Sequence, residues 1–213
     1  MEKRDTGQLI DSLSRGLAPV RPLPPPARRA LLWLGVVAVL IGVLVLRFAD
    51  LAAFAARYAA PRMGLEAAAI LLTGITSVIA AFHLSLPDRS SLWRYAPLPP
   101  LALWIATSSL GCIQYGIGLG PPGHPAGEST HCFAFIVGTS LPLAVLLYAV
   151  LRRARPLDPL PVALTAALGV ASLAAFVLQF FHHFDVTAID LSLHMAAVMF
   201  VVAVAGVSRR VLA

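Results

Sequence analysis

Charged residues are scarce in this chain. Asp, Glu, Lys and Arg make up only 12% of its 213 residues, against about 25% in an average soluble domain. Hydrophobic residues make up 59%, and the mean hydropathy is +0.84. So little charge excludes an ordinary soluble enzyme and a disordered regulator. The apolar content is enough for several membrane-spanning helices of about 20 residues each.

Cysteine and the usual catalytic motifs are also scarce. The two cysteines, Cys112 and Cys132, allow at most one intramolecular disulfide. The chain has no Cys-x-x-Cys pair, which a relay of electrons between thiol couples would need. It also has no His-Glu-x-x-His motif and no Ser/His/Asp set of the kind that hydrolases use. The sequence therefore predicts a protein that is not an enzyme.

Six long apolar runs are the main feature that is present. Helix-starting prolines precede the third and fifth runs, and none shows the alternation of an outer-membrane barrel. We therefore predict an all-α, polytopic membrane protein whose residues 30–210 form six transmembrane helices. The predicted spans are 30–46, 67–86, 96–117, 133–151, 160–181 and 191–208.

The basic residues indicate which way these spans face. The formal net charge of +6 would suggest nucleic acid in a soluble protein, but here the arginines sit between apolar runs. Thirteen of the 16 basic residues lie in segment 1–29, in the loops after the second and fourth runs, or in the tail. Only Arg47, Arg57 and Arg62 lie on the other side. The positive-inside rule then places both termini in the cytoplasm. We expect the protein to contact the lipid bilayer and to have no direct nucleic-acid partner.

The segment before the first span, residues 1–29, reads as a separate cytoplasmic unit. Residues 5–17 have apolar side chains at helical spacing, and residues 18–29, APVRPLPPPARR, predict an extended, semi-rigid tether. An isolated helix of about 13 residues is marginal in water, so we expect it to fold fully against a partner. The alternative is that it lies on the membrane or on the protein's own loops. Its apolar face consists of Leu9, Ile10, Leu13 and Leu17.

Thiol and imidazole groups gather on the predicted outer side. Loops 113–132 and 182–190 contain no Lys or Arg, and five of the six histidines lie there or just below. Thiolate and imidazole are preferred ligands of copper, zinc and similar soft ions such as cadmium, so a metal site is one interpretation. A structural disulfide is the other. The candidate sensor residues are Cys112, Cys132 and His131, with His124, Glu128, His182, His183, Asp185 and His194 as auxiliary ligands.

Two further features belong to the same side. The loop 47–62 has Leu51, Phe54 and Tyr58 at helical spacing and predicts a short helix on the outer membrane surface. Polar residues also enter the outer halves of the spans. They either line a shallow pocket beneath the loops or join helices by hydrogen bonds. These residues are Glu66, Gln114, Gln179 and His194.

Several motifs together resemble the NrsF family of small inner-membrane anti-sigma factors, negative regulators of the sigma factor SigF. The resemblance extends over essentially the whole chain, and its most specific parts are PVRPLPPP in the tether and GES-x-x-C at the fourth span. The other motifs are LIDSLSRGL, FHLSLPDRS, LGC and TSLPLAVLLYAVLRR.

The resemblance implies six helices in a bacterial inner membrane. It implies that residues 5–17 hold an extracytoplasmic-function sigma factor, and that Cys112 and Cys132 are a periplasmic pair tied to release under heavy-metal or redox stress. Two other classes stay open on the sequence. A metal-ion transporter is disfavoured because no internal repeat is visible, and a thiol oxidoreductase because there is no second thiol couple.

Overall fold

The computed structural model describes residues 6–17, 22–114, 128–181 and 188–212, leaving out the side chains of 57, 111–114, 128–130 and 188–190. The described chain is helical throughout, with no strand. Short 3₁₀ helices follow α4, α6 and α8, at Ser91–Tyr95, Arg152–Ala154 and Ser208–Leu212. The α-helices are α1 (Thr6–Arg15), α2 (Pro26–Phe48), α3 (Leu51–Tyr58), α4 (Pro61–Leu84), α5 (Leu98–Gln114), α6 (Glu128–Leu151), α7 (Pro159–Leu178) and α8 (Ala188–Val207).

Five of these helices are long and apolar enough to cross a membrane: α2, α4, α6, α7 and α8. The predicted all-α membrane fold is therefore confirmed. The remaining predicted span, 96–117, corresponds to α5, of which 17 residues are described. At 1.5 Å per residue these cover about 25 Å, somewhat less than the ~30 Å hydrocarbon core. The count of six spans stays a prediction.

The long helices alternate in direction, so the bundle has two distinct ends. The first, which we call the basic end, contains the starts of α2, α5 and α7 and the ends of α4, α6 and α8. Arg29, near the start of α2, contacts the ends of two other helices: it donates to the Val150 carbonyl of α6 and lies over the Phe82 ring of α4. The opposite end, called here the cysteine end, contains Cys132 and α3.

Helix α7 forms the centre of the bundle and α2 lies at its edge. Most of α7 is buried, whereas α2 leaves most of its apolar side chains exposed, as expected of a lipid-facing helix. Small residues allow α7 to approach α4 closely. A Cβ added to Gly74 would lie 2.8 Å from the Leu173 side chain, and one added to Gly169 would lie 2.8 Å from Val78. This is the packing that membrane helices use when the hydrophobic effect does not drive association.

The buried side chains form two clusters, one toward each end. Trp33, Phe82, Leu147, Val162 and Leu212 belong to the cluster at the basic end. The cluster at the cysteine end joins α4, α5, α6, α7 and α8 around Ile70, Trp104, Cys132, Ile136 and Val198. The two halves of the bundle are thus packed by separate sets of residues, with α2 contributing to the cluster at the basic end and α5 to the cluster at the cysteine end.

The structure corrects one boundary of the tether. Residues 18–29 were expected to be extended, and this is wrong for the last four, because α2 begins at Pro26. Pro25 has the φ of −50° and ψ of 141° of an extended residue. Pro26 lacks an amide hydrogen and has a fixed φ, which suits the first turn of a helix. The extended part of the tether that the structure describes is therefore only residues 22–25.

Candidate functional site

Helix α1 exposes the apolar face that the sequence predicted. The exposed fractions are 46% for Leu9, 61% for Ile10 and 63% for Leu13, and Leu17 just beyond the helix reaches 77%. No residue of α1 is buried. Packing of this helix on the protein's own loops is therefore not observed in the described part of the chain.

The other side of α1 is polar, and its side chains contact groups of the same helix. Arg15 lies 3.7 Å from Asp11 one turn away, and both side chains are highly exposed. Ser12 and Ser14 donate to carbonyls of their own helix. Polar groups of this helix are satisfied locally or by solvent, so its uncovered apolar face is the surface that a partner would bury.

At the cysteine end the structure separates the two adjacent sensor candidates. The Cys132 side chain is 4% exposed and lies in the buried cluster of that end, whereas His131 is exposed. Successive helical residues project about 100° apart, which explains why neighbours in sequence have opposite environments. His194 of α8 is also buried.

Most other sensor candidates fall outside the described residues. This applies to His124, His182, His183 and Asp185, and to the side chains of Cys112 and Glu128. Within the described ranges, no three His, Cys, Asp or Glu side chains come together as metal ligands would. The pairing of the two cysteines and the metal site both stay predictions.

Glu66 joins α4 to α5 near the cysteine end. Its carboxylate accepts a 2.8 Å hydrogen bond from Ser108 and lies 3.7 Å from the Arg62 guanidinium, which also donates to the Thr107 carbonyl at 3.5 Å. The Glu66 side chain is 7% exposed, so this buried charge is satisfied by partners on two helices. Of the two roles considered for the polar residues, joining helices is the one that Glu66 has. Nothing in the sequence indicates that Ser108 is its partner, because the two residues are 42 positions apart.

The short helix α3 is confirmed, and it is fastened to the end of α7. The Phe54 ring stacks on Tyr58 and on Phe180, with ring centroids 4.2 Å apart in both pairs. The Tyr58 hydroxyl donates to the Gln179 side chain. Gln179 therefore also links elements, whereas the side chain of Gln114 lies outside the described residues.

Together these features define a helical membrane protein that has an exposed amphipathic helix before its first span. The chain belongs to the NrsF family, described as negative regulator of sigma F, whose model matches residues 13–213. The family is regulatory and not catalytic, and its name implies a sigma factor as partner. The match begins at Leu13, so all but the last three of the ten residues of α1 precede it. No curated protein and no solved structure matches the chain.

Proposed function

We propose that this protein is a membrane-bound anti-sigma factor that sequesters an extracytoplasmic-function sigma factor through the apolar face of α1. The observation that carries the proposal is the exposure of Leu9, Ile10, Leu13 and Leu17 on a helix that no other element of the described chain covers. The family membership supports a sigma factor as the partner.

The energetics favour folding of α1 on its partner. Full burial of a leucine or isoleucine side chain contributes about 1.5–3 kcal/mol, so four such residues would offset the cost of ordering a short helix. A helix laid in a groove would hide the sigma-factor surface that polymerase needs. This mechanism is sequestration and requires no chemistry.

The proposal requires the basic end to face the cytoplasm. The described residues at that end include Arg89, Arg94, Arg152, Arg153 and Arg155, whereas those at the cysteine end include Arg47 and Arg62. This asymmetry supports cytoplasmic termini in a bacterial inner membrane. The Cys132 thiol then belongs to the periplasmic half, where disulfides are favoured.

We infer that Cys112 and Cys132 sense a heavy metal or an oxidant at the cysteine end. Cys112 lies one helical turn beyond Ser108, whose hydroxyl binds Glu66 of α4. At the other end of α4, the Phe82 ring lies 5.2 Å from the Arg29 guanidinium. Arg29 is in the first turn of α2, the helix that follows the tether. A shift of α5 caused by a new bond at Cys112 would thus act on α4 and on the base of the tether. Coupling of this kind needs two arrangements of the bundle that both sites bias.

The sigma-factor contact is tested by co-purification from detergent-solubilised membranes. Leu13→Asp places a carboxylate in the proposed interface, at a cost of several kcal/mol, and should reduce the recovered sigma factor by at least ~100-fold. Gln8→Asp introduces the same group on the polar side of α1 and should recover as much as wild type. Equal recovery with Leu9→Asp, Leu13→Asp and wild type would show that this face is not the contact.

The sensor is tested with a sigma-dependent reporter in cells exposed to copper, cadmium or diamide. Cys112→Ser and Cys132→Ser should abolish the response while basal repression persists, because binding of a soft ion or an oxidant requires the thiols. His131→Ala should weaken only the metal response, since imidazole coordinates ions but takes no part in a disulfide. A double cysteine variant that responds like wild type would remove the thiols from the mechanism.

A further inference from the structure

A groove between α2 and α6 at the basic end has an unusual combination of walls. Its volume is about 400 Å³, within the range of about 300–1,000 Å³ typical of small-molecule sites. Its sides are almost wholly apolar, with Leu32 and Val36 on α2 facing Leu146 and Val150 on α6. Arg29 and Arg153 lie at the end of the groove nearest the helix termini.

Two residues that line this groove each have a buried donor without a hydrogen-bond partner. The Arg29 side chain uses one terminal nitrogen to donate to the Val150 carbonyl at 2.9 Å, but its other terminal nitrogen, Nη1, is buried without a hydrogen bond. The indole nitrogen of Trp33, one turn further along α2, is also buried without one. Both residues are more than nine-tenths buried. A buried donor without a partner costs about 1–3 kcal/mol, so each such group calls for an explanation.

The charge of the groove is positive and uncompensated. Arg29 and Arg153 repel each other, and in the described part of the chain neither forms an ion pair with a carboxylate. A ligand that matched the two arginines, the Trp33 indole and the apolar walls would have two parts. It would carry an anionic group with several acceptor oxygens at the helix ends and an apolar chain along the groove. Basic pockets between helices at the membrane surface bind anionic lipid headgroups in this way.

We propose that the groove is a binding site for an anionic phospholipid. The phosphate accepts hydrogen bonds from Arg29 and Arg153, one acyl chain lies between α2 and α6, and the Trp33 indole donates to an oxygen of the same lipid. Leu23 and Pro24 of the tether form part of the same wall. Occupancy would therefore also fix where the tether leaves the membrane surface, and with it the position of α1.

The test is lipid retention by the purified full-length protein, measured by native mass spectrometry with phosphatidylglycerol, phosphatidylcholine and glycerol 3-phosphate. Wild type should retain phosphatidylglycerol in preference to phosphatidylcholine and should not retain glycerol 3-phosphate, because the acyl chain contributes to binding. Arg153→Gln should lower the retention of phosphatidylglycerol about five-fold, the effect expected of one arginine at a membrane surface. Arg152→Gln removes the same charge from the neighbouring residue, which does not line the groove, and should retain the lipid like wild type.

A second measurement keeps the proposal testable if a variant folds poorly. Phosphatidylglycerol with brominated acyl chains should quench part of the tryptophan fluorescence of wild type, and Trp33→Phe should lose that part. Equal retention of the two phospholipids, or equal losses in Arg152→Gln and Arg153→Gln, would overturn the proposal. Absence of Trp33 quenching would also overturn it. None of these readouts depends on a sigma factor, so the result is independent of the proposed function.

Discussion

Two glycines set how closely α4 and α7 approach at the centre of the bundle. A Cβ at Gly169 would lie 2.8 Å from the Val78 Cγ2 atom, 3.1 Å from the Val78 backbone nitrogen and 3.3 Å from the Gly74 carbonyl oxygen. Two of these three atoms belong to the backbone, so a side-chain rotation cannot relieve the clash. The close contact therefore depends on the absence of a single methyl group.

We predict that Gly169→Ala destabilises the bundle by about 1–3 kcal/mol, the usual cost of overpacking a tight core. The measurement is the midpoint of denaturation of the purified protein in detergent. Gly42→Ala is the matched control, because Gly42 also lies within a membrane-spanning helix but a Cβ there would meet nothing within 4 Å. A Gly169→Ala protein as stable as Gly42→Ala would show that α4 and α7 are not packed this closely.

Ser108 and Ser109 offer a second comparison between neighbouring residues. The Ser108 hydroxyl donates to Glu66 on another helix, whereas Ser109 donates to the Ile105 carbonyl of its own helix. Ser108→Ala leaves the buried carboxylate with less support and should cost about 1–3 kcal/mol, while Ser109→Ala should be near neutral. Denaturation midpoints of the two variants test this, and similar values would contradict the interhelical bond.

Among the helices, α3 shows how a short element is held in place. Its eight residues are too few for stability alone. The stacking of Phe54 on Tyr58 and Phe180 and the bond from Tyr58 to Gln179 fasten it to the end of α7. The sequence predicted this helix from the spacing of its apolar residues. It did not predict the attachment, because Phe180 is more than 120 residues away.

We predict that Phe54→Ala releases α3 from the bundle. Each aromatic pair contributes about 0.5–1.5 kcal/mol beyond its buried area, so amide exchange in Leu51–Tyr58 should accelerate at least about five-fold. Hydrogen exchange followed by mass spectrometry measures this rate. Phe48→Ala is the control, because Phe48 is 75% exposed at the end of α2 and its loss should leave exchange in α3 unchanged. Unaltered exchange in the Phe54→Ala protein would mean that other contacts hold α3.

For the molecule as a whole, the sequence predicted the helical class and most helix positions because long uncharged runs have few alternative structures. It did not predict which helices pack together, since most residues of each span are apolar and hydrophobicity alone does not mark the face that each span buries. The apolar face of α1 was predictable from local spacing alone. By contrast, Arg29 was counted only as a topology signal, and its place in the groove depends on Val150, 121 residues away.

The orientation of the bundle yields a prediction at this scale. A cytoplasm-active reporter fused after Ala213 should be active and a periplasm-active one silent, because most of the described basic residues lie at the end of the bundle where α2 begins and α8 ends. Paired reporters fused at the same residue provide the comparison. Activity of the periplasmic reporter would reverse the proposed orientation and place α1 outside the cytoplasm.

The most direct test of the central claim is site-specific photo-crosslinking in living cells. A photoreactive amino acid replaces either Leu13 or Gln8 in the full-length membrane protein. These two residues lie on opposite sides of α1. We expect position 13 to capture a sigma factor, identified by mass spectrometry, and position 8 to capture far less. If position 13 captures no sigma factor in cells where the protein represses sigma-dependent transcription, the apolar face of α1 does not hold the sigma factor.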